Sequence, residues 1–257
     1  MAVASHAQPF AADAGETGVL LSHGFTGSTA SIRPWAQFLA DQGLTVRLPR
    51  LPGHGTTWQA LNRTRWPDWY AAVDRAFREL TDRCDRVVVG GLSMGGTLAL
   101  RLAQEHGTAV SGVVLVNPLV QLSDPRLVAL PVLRHVVPSL QAIGGDVKRP
   151  GADEHAYDRN PLHALHSVVA LGRVVRTDLP RVTQPLLLFR SAVDHVVDPL
   201  SAKLVMQRVS SPDLSEHVLG DSYHVATLDN DAPAIFAESL KFVRRVAADR
   251  PESTGVR

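Results

Sequence analysis

The 257-residue chain is predicted to form one α/β domain, a mostly parallel central sheet with helices on both faces and a small helical cap inserted late in the chain. Three observations predict it. Short apolar runs alternate with helical patterns along the chain. Four of those runs are nearly all apolar, as parallel strands buried on both faces must be. The alternation breaks once, between Pro118 and Thr183.

Taken in order, the predicted strands are Gly18–Ser22, Leu44–Leu48, Asp85–Gly90, Val110–Val116, Leu186–Arg190 and Leu214–Leu219. The predicted helices between and after them are Pro34–Gln42, Pro67–Leu80, Met94–Glu105, Pro199–Val209 and Pro233–Val246. Four of these open on a proline, which the first helical turn tolerates because its N–H groups have no intrahelical partner. The stretch 118–183 shows no strand signal and contains, after Pro118, six further prolines and the pair Gly144-Gly145. It reads as a helical cap over the C-terminal edge of the sheet. Within it, the apolar run Leu127–Val137 is expected to cover a substrate pocket, with plain cap core and contact to a lipid surface as the alternatives.

Composition narrows the class. An apolar content of 45% suffices for a sizeable core, and a net charge of +1 gives no broad electrostatic footprint for nucleic acid or an acidic membrane. The single cysteine, Cys84, rules out an internal disulfide framework and suits a reducing cytoplasm. The N-terminal residues lack a basic and then apolar leader pattern, and no apolar run is long enough to span a membrane. The polar stretch 247–255 reads as a frayed end.

Gly91-Leu92-Ser93-Met94-Gly95 carries the chemistry. A G-x-S-x-G turn between a strand and a helix presents a nucleophilic serine on a strained backbone, and the glycines leave room where side chains would clash. A serine hydroxyl is nearly inert at neutral pH and needs a base, an acid that orients the base, and donors for the oxyanion. In this architecture the acid and base follow the serine in that order, on loops after later strands. Asp194 stands just past the strand 186–190 and is the expected acid. Asp198, ahead of Pro199, is better suited to capping a helix, and Asp124 is the alternative acid after the fourth strand. His224, in the loop after the last strand, is the expected base, whereas His217 alternates along that strand and reads as exposed. The oxyanion donors are expected to be the N–H groups of Met94 and of Phe25, the latter in the loop Ser22–Ser28. His163 and His166 lack a third ligand, so no metal or cofactor is expected. Gly53-His54-Gly55 reads as a tight loop at the edge of the site, and Trp58, Trp66 and Trp69 as packing.

Four segments together resemble one family. They are Gly18–Gly27, Leu48–Thr56, Gly91–Gly96 and Ser222-Tyr223-His224-Val225-Ala226-Thr227-Leu228-Asp229, the last being the most specific. They look like bacterial monoacylglycerol lipases and their carboxylesterase relatives, within the α/β-hydrolase superfamily. The similarity runs from about Phe10 to Val246. The resemblance implies Ser93, Asp194 and His224 as a triad, Phe25 and Met94 as oxyanion donors, and a small cap shaping a tunnel for one acyl chain. It further implies that Glu154 contacts glycerol hydroxyls and that Ile143 lies near the cap apex. The function expected is hydrolysis of a small lipid ester, most of all a monoacylglycerol. A general carboxylesterase is the alternative within enzymes. A hydrolase-fold ligand receptor with poor turnover is the alternative outside them, because one triad scaffold hosts many functions.

Overall fold

The computed structural model describes residues 2–142 and 144–248. Ile143 and most of the polar stretch 247–255 therefore lie outside the described residues. In chain order the strands are β1 (Phe10–Ala12), β2 (Thr17–Ser22), β3 (Thr45–Leu48), β4 (Arg86–Leu92), β5 (Gly112–Val116), β6 (Ser139–Gln141), β7 (Arg159–Pro161), β8 (Leu186–Ser191) and β9 (Leu214–Leu219). The α-helices are α1 (Arg33–Asp41), α2 (Trp58–Leu61), α3 (Trp66–Thr81), α4 (Met94–His106), α5 (Leu130–Leu133), α6 (Leu162–Thr177), α7 (Leu200–Arg208) and α8 (Ala232–Ala248).

Seven strands pair in the order β1-β3-β2-β4-β5-β8-β9 among the described residues. All neighbours are parallel except β1, which runs antiparallel to β3 at the edge. Residues alternate across the sheet with the strand period of two. Leu20, Val87, Val89, Val113, Leu115, Leu186 and Leu188 face the layer of α3, α4, α6 and α7. Val19, Leu21, Val46, Val88, Val114, Leu187 and Phe189 face α1 and α8. Both faces are apolar because both are covered, which is why these runs read as continuous apolar segments.

Sheet order also locates the crevice. From β2 the chain crosses to β3 on one side, and β4 then joins β2 on the other. Loops leaving the C-terminal ends of β2 and β4 consequently diverge, and a cleft opens at that switch point. Ser22 pairs with Gly91 in the register, so the loop after β2 begins beside the turn that carries Ser93.

Two sequence expectations need correction. The edge strand β1 carries no periodic apolar signal, because three residues on a sheet edge bury little. The insertion 118–183, read as helical, contains among the described residues a two-stranded antiparallel sheet, β6 with β7, and only one long helix. These strands pair across the insertion, joining Ser139 to Pro161 and Gln141 to Arg159. Such short, mostly solvated strands leave no alternation to detect. The long helix α6 packs on α3 and α4. The run Leu127–Val137 divides: Leu130 is buried, while Val128, Val132 and Val136 are 85%, 73% and 77% exposed. Those three valines, four residues apart, turn their side chains largely to the outside.

Candidate active site

Ser93 stands between the end of β4 and the start of α4 with φ 57° and ψ −121°. A left-handed backbone at a residue with a side chain is costly and persists where its surroundings hold it. Its surroundings do. The Ser93 N–H donates to the Val116 carbonyl, and its own carbonyl accepts from Leu119. Gly91 and Gly95 are packed face to face, since a Cβ on Gly91 would lie 2.4 Å from the Gly95 carbonyl carbon. Met94 opens α4 directly after the serine. Its N–H is one of the four that an α-helix leaves unpaired at its N-terminus, where partial positive charge accumulates.

The loop after β2 closes over this turn. A Cβ on Gly24 would sit 3.3 Å from the Ser93 Cβ, so the chain at Gly24-Phe25 passes directly against the serine. His23 fixes the loop. Its ring is buried, its Nε2 accepts from the Leu51 N–H at 3.2 Å, and its Nδ1 donates to the Gly24 carbonyl at 3.0 Å. One nitrogen accepts, so the ring is the neutral Nδ1–H tautomer. Thr26, at φ 62°, turns the loop, and its carbonyl accepts from the Tyr157 N–H of the insertion. The Tyr157 hydroxyl also donates to the Gly53 carbonyl and accepts from the Thr56 N–H, both at 2.8 Å. Gly53 and Gly55 both have positive φ, as the tight-loop reading requires. His54 between them is buried, as is Trp69 of α3 against its ring.

Burial drives the His23 pKa down to about 4 and pushes that of His54 well below its ordinary value. Between about pH 6.5 and pH 4 the unfolded chain therefore binds protons that the native chain refuses. Stability should be constant above that window and fall as the pH drops through it, by about 3 kcal/mol from His23 alone. Denaturant midpoints at about pH 7 and about pH 4.5 check this. Equal midpoints would contradict a neutral, buried His23.

Asp194 and His224 meet as expected from the sequence. His224 Nδ1 donates to Asp194 Oδ2 at 2.8 Å, and both side chains are more than nine-tenths buried. A carboxylate can only accept, so Nδ1 carries a proton, and in the neutral ring Nε2 is the nitrogen with the open lone pair. The other oxygen, Asp194 Oδ1, accepts from the Val196 and Val197 N–H groups, each at 2.8 Å. Burial raises the Asp194 pKa, but the His224 bond, its charge and these two N–H donors outweigh it and hold the carboxyl below the usual range. Among the described residues Ser93 Oγ has no hydrogen bond. In an enzyme without substrate that last link is commonly loose.

Other candidates fall where their chemistry suggests. Asp198 caps α7 by accepting from Leu200, and Asp124 caps a 3₁₀ turn and pairs with Arg126, away from His224. His217 is exposed on β9 against Phe189, and His163 and His166 have different neighbours, His135 and Arg134. Glu154 reaches the site from the insertion. Its Oε1 accepts from the Gly145 N–H at 2.9 Å, and Oε2 would lie 3.6 Å from a Cβ on Gly27 in the loop after β2. Burial raises its pKa.

Asn117 and Asp229 are structural members of the site that sequence reading missed. Asn117 follows β5 at φ 44°, and its amide donates to Ser191 Oγ at 2.9 Å and to the His224 carbonyl at 2.8 Å. Its Oδ1 accepts from the Ser191 N–H, so it ties β5 and β8 to the His224 loop. An Asn between a strand end and a proline was the one local signal. Asp229 is fully buried and accepts from the N–H groups of Lys148, Arg149, Tyr223 and Asn230.

With this geometry in hand, comparison with known proteins is decisive. The profile of the Hydrolase_4 family, described as serine aminopeptidase, S33, matches residues 15–231. The chain belongs to this family of serine hydrolases. Within and around the family, the chain is 43% identical to a thermostable monoacylglycerol lipase from Bacillus sp. (strain H-257), over 95% of this chain and 97% of that one. It is 24% identical to a carboxylesterase from Bacillus subtilis (strain 168), over 93% and 97% of the two chains. Among solved structures, a metagenome-derived lipolytic enzyme superposes with a TM-score of 0.92 at 38% identity, covering 95% of this chain and all of the other. A soluble variant of the Saccharomyces cerevisiae monoglyceride lipase shares the fold, with a TM-score of 0.77 at 17% identity over 96% of each chain. The chain is a serine hydrolase with the α/β-hydrolase fold whose relatives include a named lipase and a named carboxylesterase, and the receptor alternative is not favoured.

Proposed function

We propose that the chain hydrolyses monoacylglycerols to glycerol and fatty acid through an acyl-enzyme on Ser93. The observation that carries the reading is the buried His224–Asp194 hydrogen bond, which commits Nδ1 and leaves Nε2 as the nitrogen proposed to serve the strained Ser93. In the proposed reaction His224 Nε2 takes the Ser93 proton as Oγ attacks the ester carbonyl. Asp194 holds the tautomer and stabilises the imidazolium, and the N–H groups of Phe25 and Met94 receive the oxyanion. Collapse of the tetrahedral intermediate passes the proton to the departing glycerol oxygen. Water, deprotonated by His224, then attacks the acyl-enzyme and releases the fatty acid.

The segment 118–183 acts as the cap in this proposal. A cavity of about 360 Å³ lies within it, walled by apolar side chains such as Leu119, Val120 and Leu127 and by the charged Asp124, Arg173 and Arg176. The exposed Val128, Val132 and Val136 are proposed to rest transiently on the lipid aggregates that present the substrate. A cytoplasmic setting belongs to the same reading, supported by the free, buried thiol of Cys84. No described helix is long and apolar enough to cross a membrane.

Turnover of a monoacylglycerol series, with di- and triacylglycerols and p-nitrophenyl esters as controls, tests the proposal. Preference for p-nitrophenyl esters over every monoacylglycerol would replace it with a general carboxylesterase. Glu154 supplies the finer test, as the acceptor proposed for glycerol hydroxyls. Glu154→Gln keeps an acceptor for the Gly145 N–H while removing the charge. It is expected to raise KM for monoacylglycerol by about tenfold, the value of one charge-assisted hydrogen bond, and to leave p-nitrophenyl butyrate unaffected. Equal losses on both substrates would refute a glycerol-reading role.

A further inference from the structure

We propose that Asp146, a residue of the insertion, is a positioning residue for the catalytic pair. Its carboxylate holds the loop of the acid and the loop of the base in mutual register. The inference rests on the Ser93–Asp194–His224 reading and adds to it a fourth side chain, one that touches neither Ser93 nor the substrate.

Asp146 Oδ2 accepts two backbone N–H groups, those of His195 and His224, each at 3.1 Å. His195 immediately follows the acid Asp194, and His224 is the base. One oxygen thus spans the two loops whose separation sets the Asp194–His224 hydrogen bond. The other oxygen, Oδ1, bonds to His195 Nδ1 at 2.7 Å, which fixes the rotamer of the carboxylate. The Asp146 carbonyl also accepts from the Val225 N–H. The side chain is 9% exposed, so water does not substitute for it freely.

The strap that delivers Asp146 is anchored in return by the base's own loop. The Lys148 and Arg149 N–H groups donate to the Asp229 carboxylate at 2.7 and 2.9 Å, and the same carboxylate accepts from Tyr223, the residue before His224. Lys148 Nζ pairs with Asp221 at 2.7 Å. At the other end of the strap the Gly145 N–H donates to Glu154. Carboxylates are therefore exchanged in both directions between the insertion and the base loop, and one end of the strap meets the proposed glycerol acceptor. Seating the strap and aligning the triad are one event in this geometry. Catalysis is steep in such alignment, because a displacement of about 1 Å at reacting groups costs on the order of a hundredfold.

The test compares Asp146→Ala with Asp146→Asn. The alanine removes both acceptors. The asparagine keeps an amide oxygen for the His195 and His224 N–H groups, while its NH₂ faces a His195 ring that can accept in its other tautomer. Asp146→Ala is expected to lower kcat by about 30- to 100-fold with KM changed less than about threefold. The loss should be equal on monoacylglycerol and p-nitrophenyl butyrate, and the rate of fluorophosphonate labelling of Ser93 should fall in parallel. Asp146→Asn should restore at least about tenfold of the loss. An alanine variant within about twofold of wild type, an asparagine variant as impaired as the alanine, or a loss confined to KM or to monoacylglycerol would each overturn the proposal. If Asp146→Ala does not fold, His195→Ala, which frees the carboxylate rotamer but keeps the backbone donors, takes its place. It should lower kcat by about 3- to 10-fold at constant KM, and an unchanged kcat would overturn the proposal. Absence of labelling in wild type would instead defeat the triad reading. Normal wild-type labelling that Asp146→Ala does not slow defeats the positioning role alone.

Discussion

Ser93→Ala is expected to lower kcat by about 10⁴-fold or more, equivalent to about 5.5 kcal/mol of transition-state stabilisation, with the fold intact. The fold should survive because Ser93 Oγ has no hydrogen bond to lose among the described residues, and alanine meets the same backbone conformation at φ 57° as serine does. The activity should not, because no other hydroxyl is held against Gly24 at the start of α4. The residual rate would come from binding and from the oxyanion donors, which the variant retains. Steady-state kinetics on a short p-nitrophenyl ester, with fluorophosphonate labelling of both proteins, checks this. Turnover near wild type, or continued stoichiometric labelling, would remove Ser93 from the mechanism.

Gly95→Ala should damage the fold itself. The added Cβ would lie 1.9 Å from the Ser22 carbonyl oxygen, 2.4 Å from its carbon and 2.7 Å from the His23 carbonyl oxygen. These are backbone atoms of β2 and of the loop after it, so no rotamer change relieves the overlap. The helix α4 must move off the sheet, opening the contact that brings Gly24 against Ser93. Overpacking against flexible side chains costs about 1–3 kcal/mol, and an unyielding backbone exceeds that range. The expected result is aggregation on expression, or a Tm lowered by about 10 °C or more. Gly220→Ala is the control, since nothing lies within 4 Å of a Cβ there. A Gly95→Ala protein as stable as Gly220→Ala would show that the close approach of α4 to β2 is not required.

These two predictions draw on different levels of legibility. Ser93 was readable from local sequence, because strand, turn and helix each leave a periodic mark and the turn needs glycine on both sides. Asp194 and His224 were readable because chain order and position after a strand are local properties too. The tightness at Gly95 was readable only in kind. That glycine belongs there follows from the motif, whereas the atom it presses on, the Ser22 carbonyl, lies on another strand.

Insertion residues were the hardest to read. The strands β6 and β7 are three residues each, too short for alternation to show, and the segment Leu127–Val137 looked uniformly apolar although three of its valines face outward. Asn117, Asp146 and Asp229 work through backbone N–H and carbonyl groups, which every residue possesses. No residue type at the far end advertises such a partner.

The sequence by itself determined the α/β layering, the order of the principal strands and helices, the strained serine, and the Asp194 and His224 proposed as its acid and base. All of these are encoded by periodicity and spacing within a few turns or strand lengths. Tertiary structure alone decided that His23 is neutral and locked beneath the loop after β2, that Asn117 joins two strands to the His224 loop, and that Asp146 reaches both catalytic loops. The hydrogen bonds from Asp146 span 49 and 78 residues. Contacts at that separation are set by how the layers close on one another, because a carboxylate's partners are chosen by proximity in space and not by position along the chain.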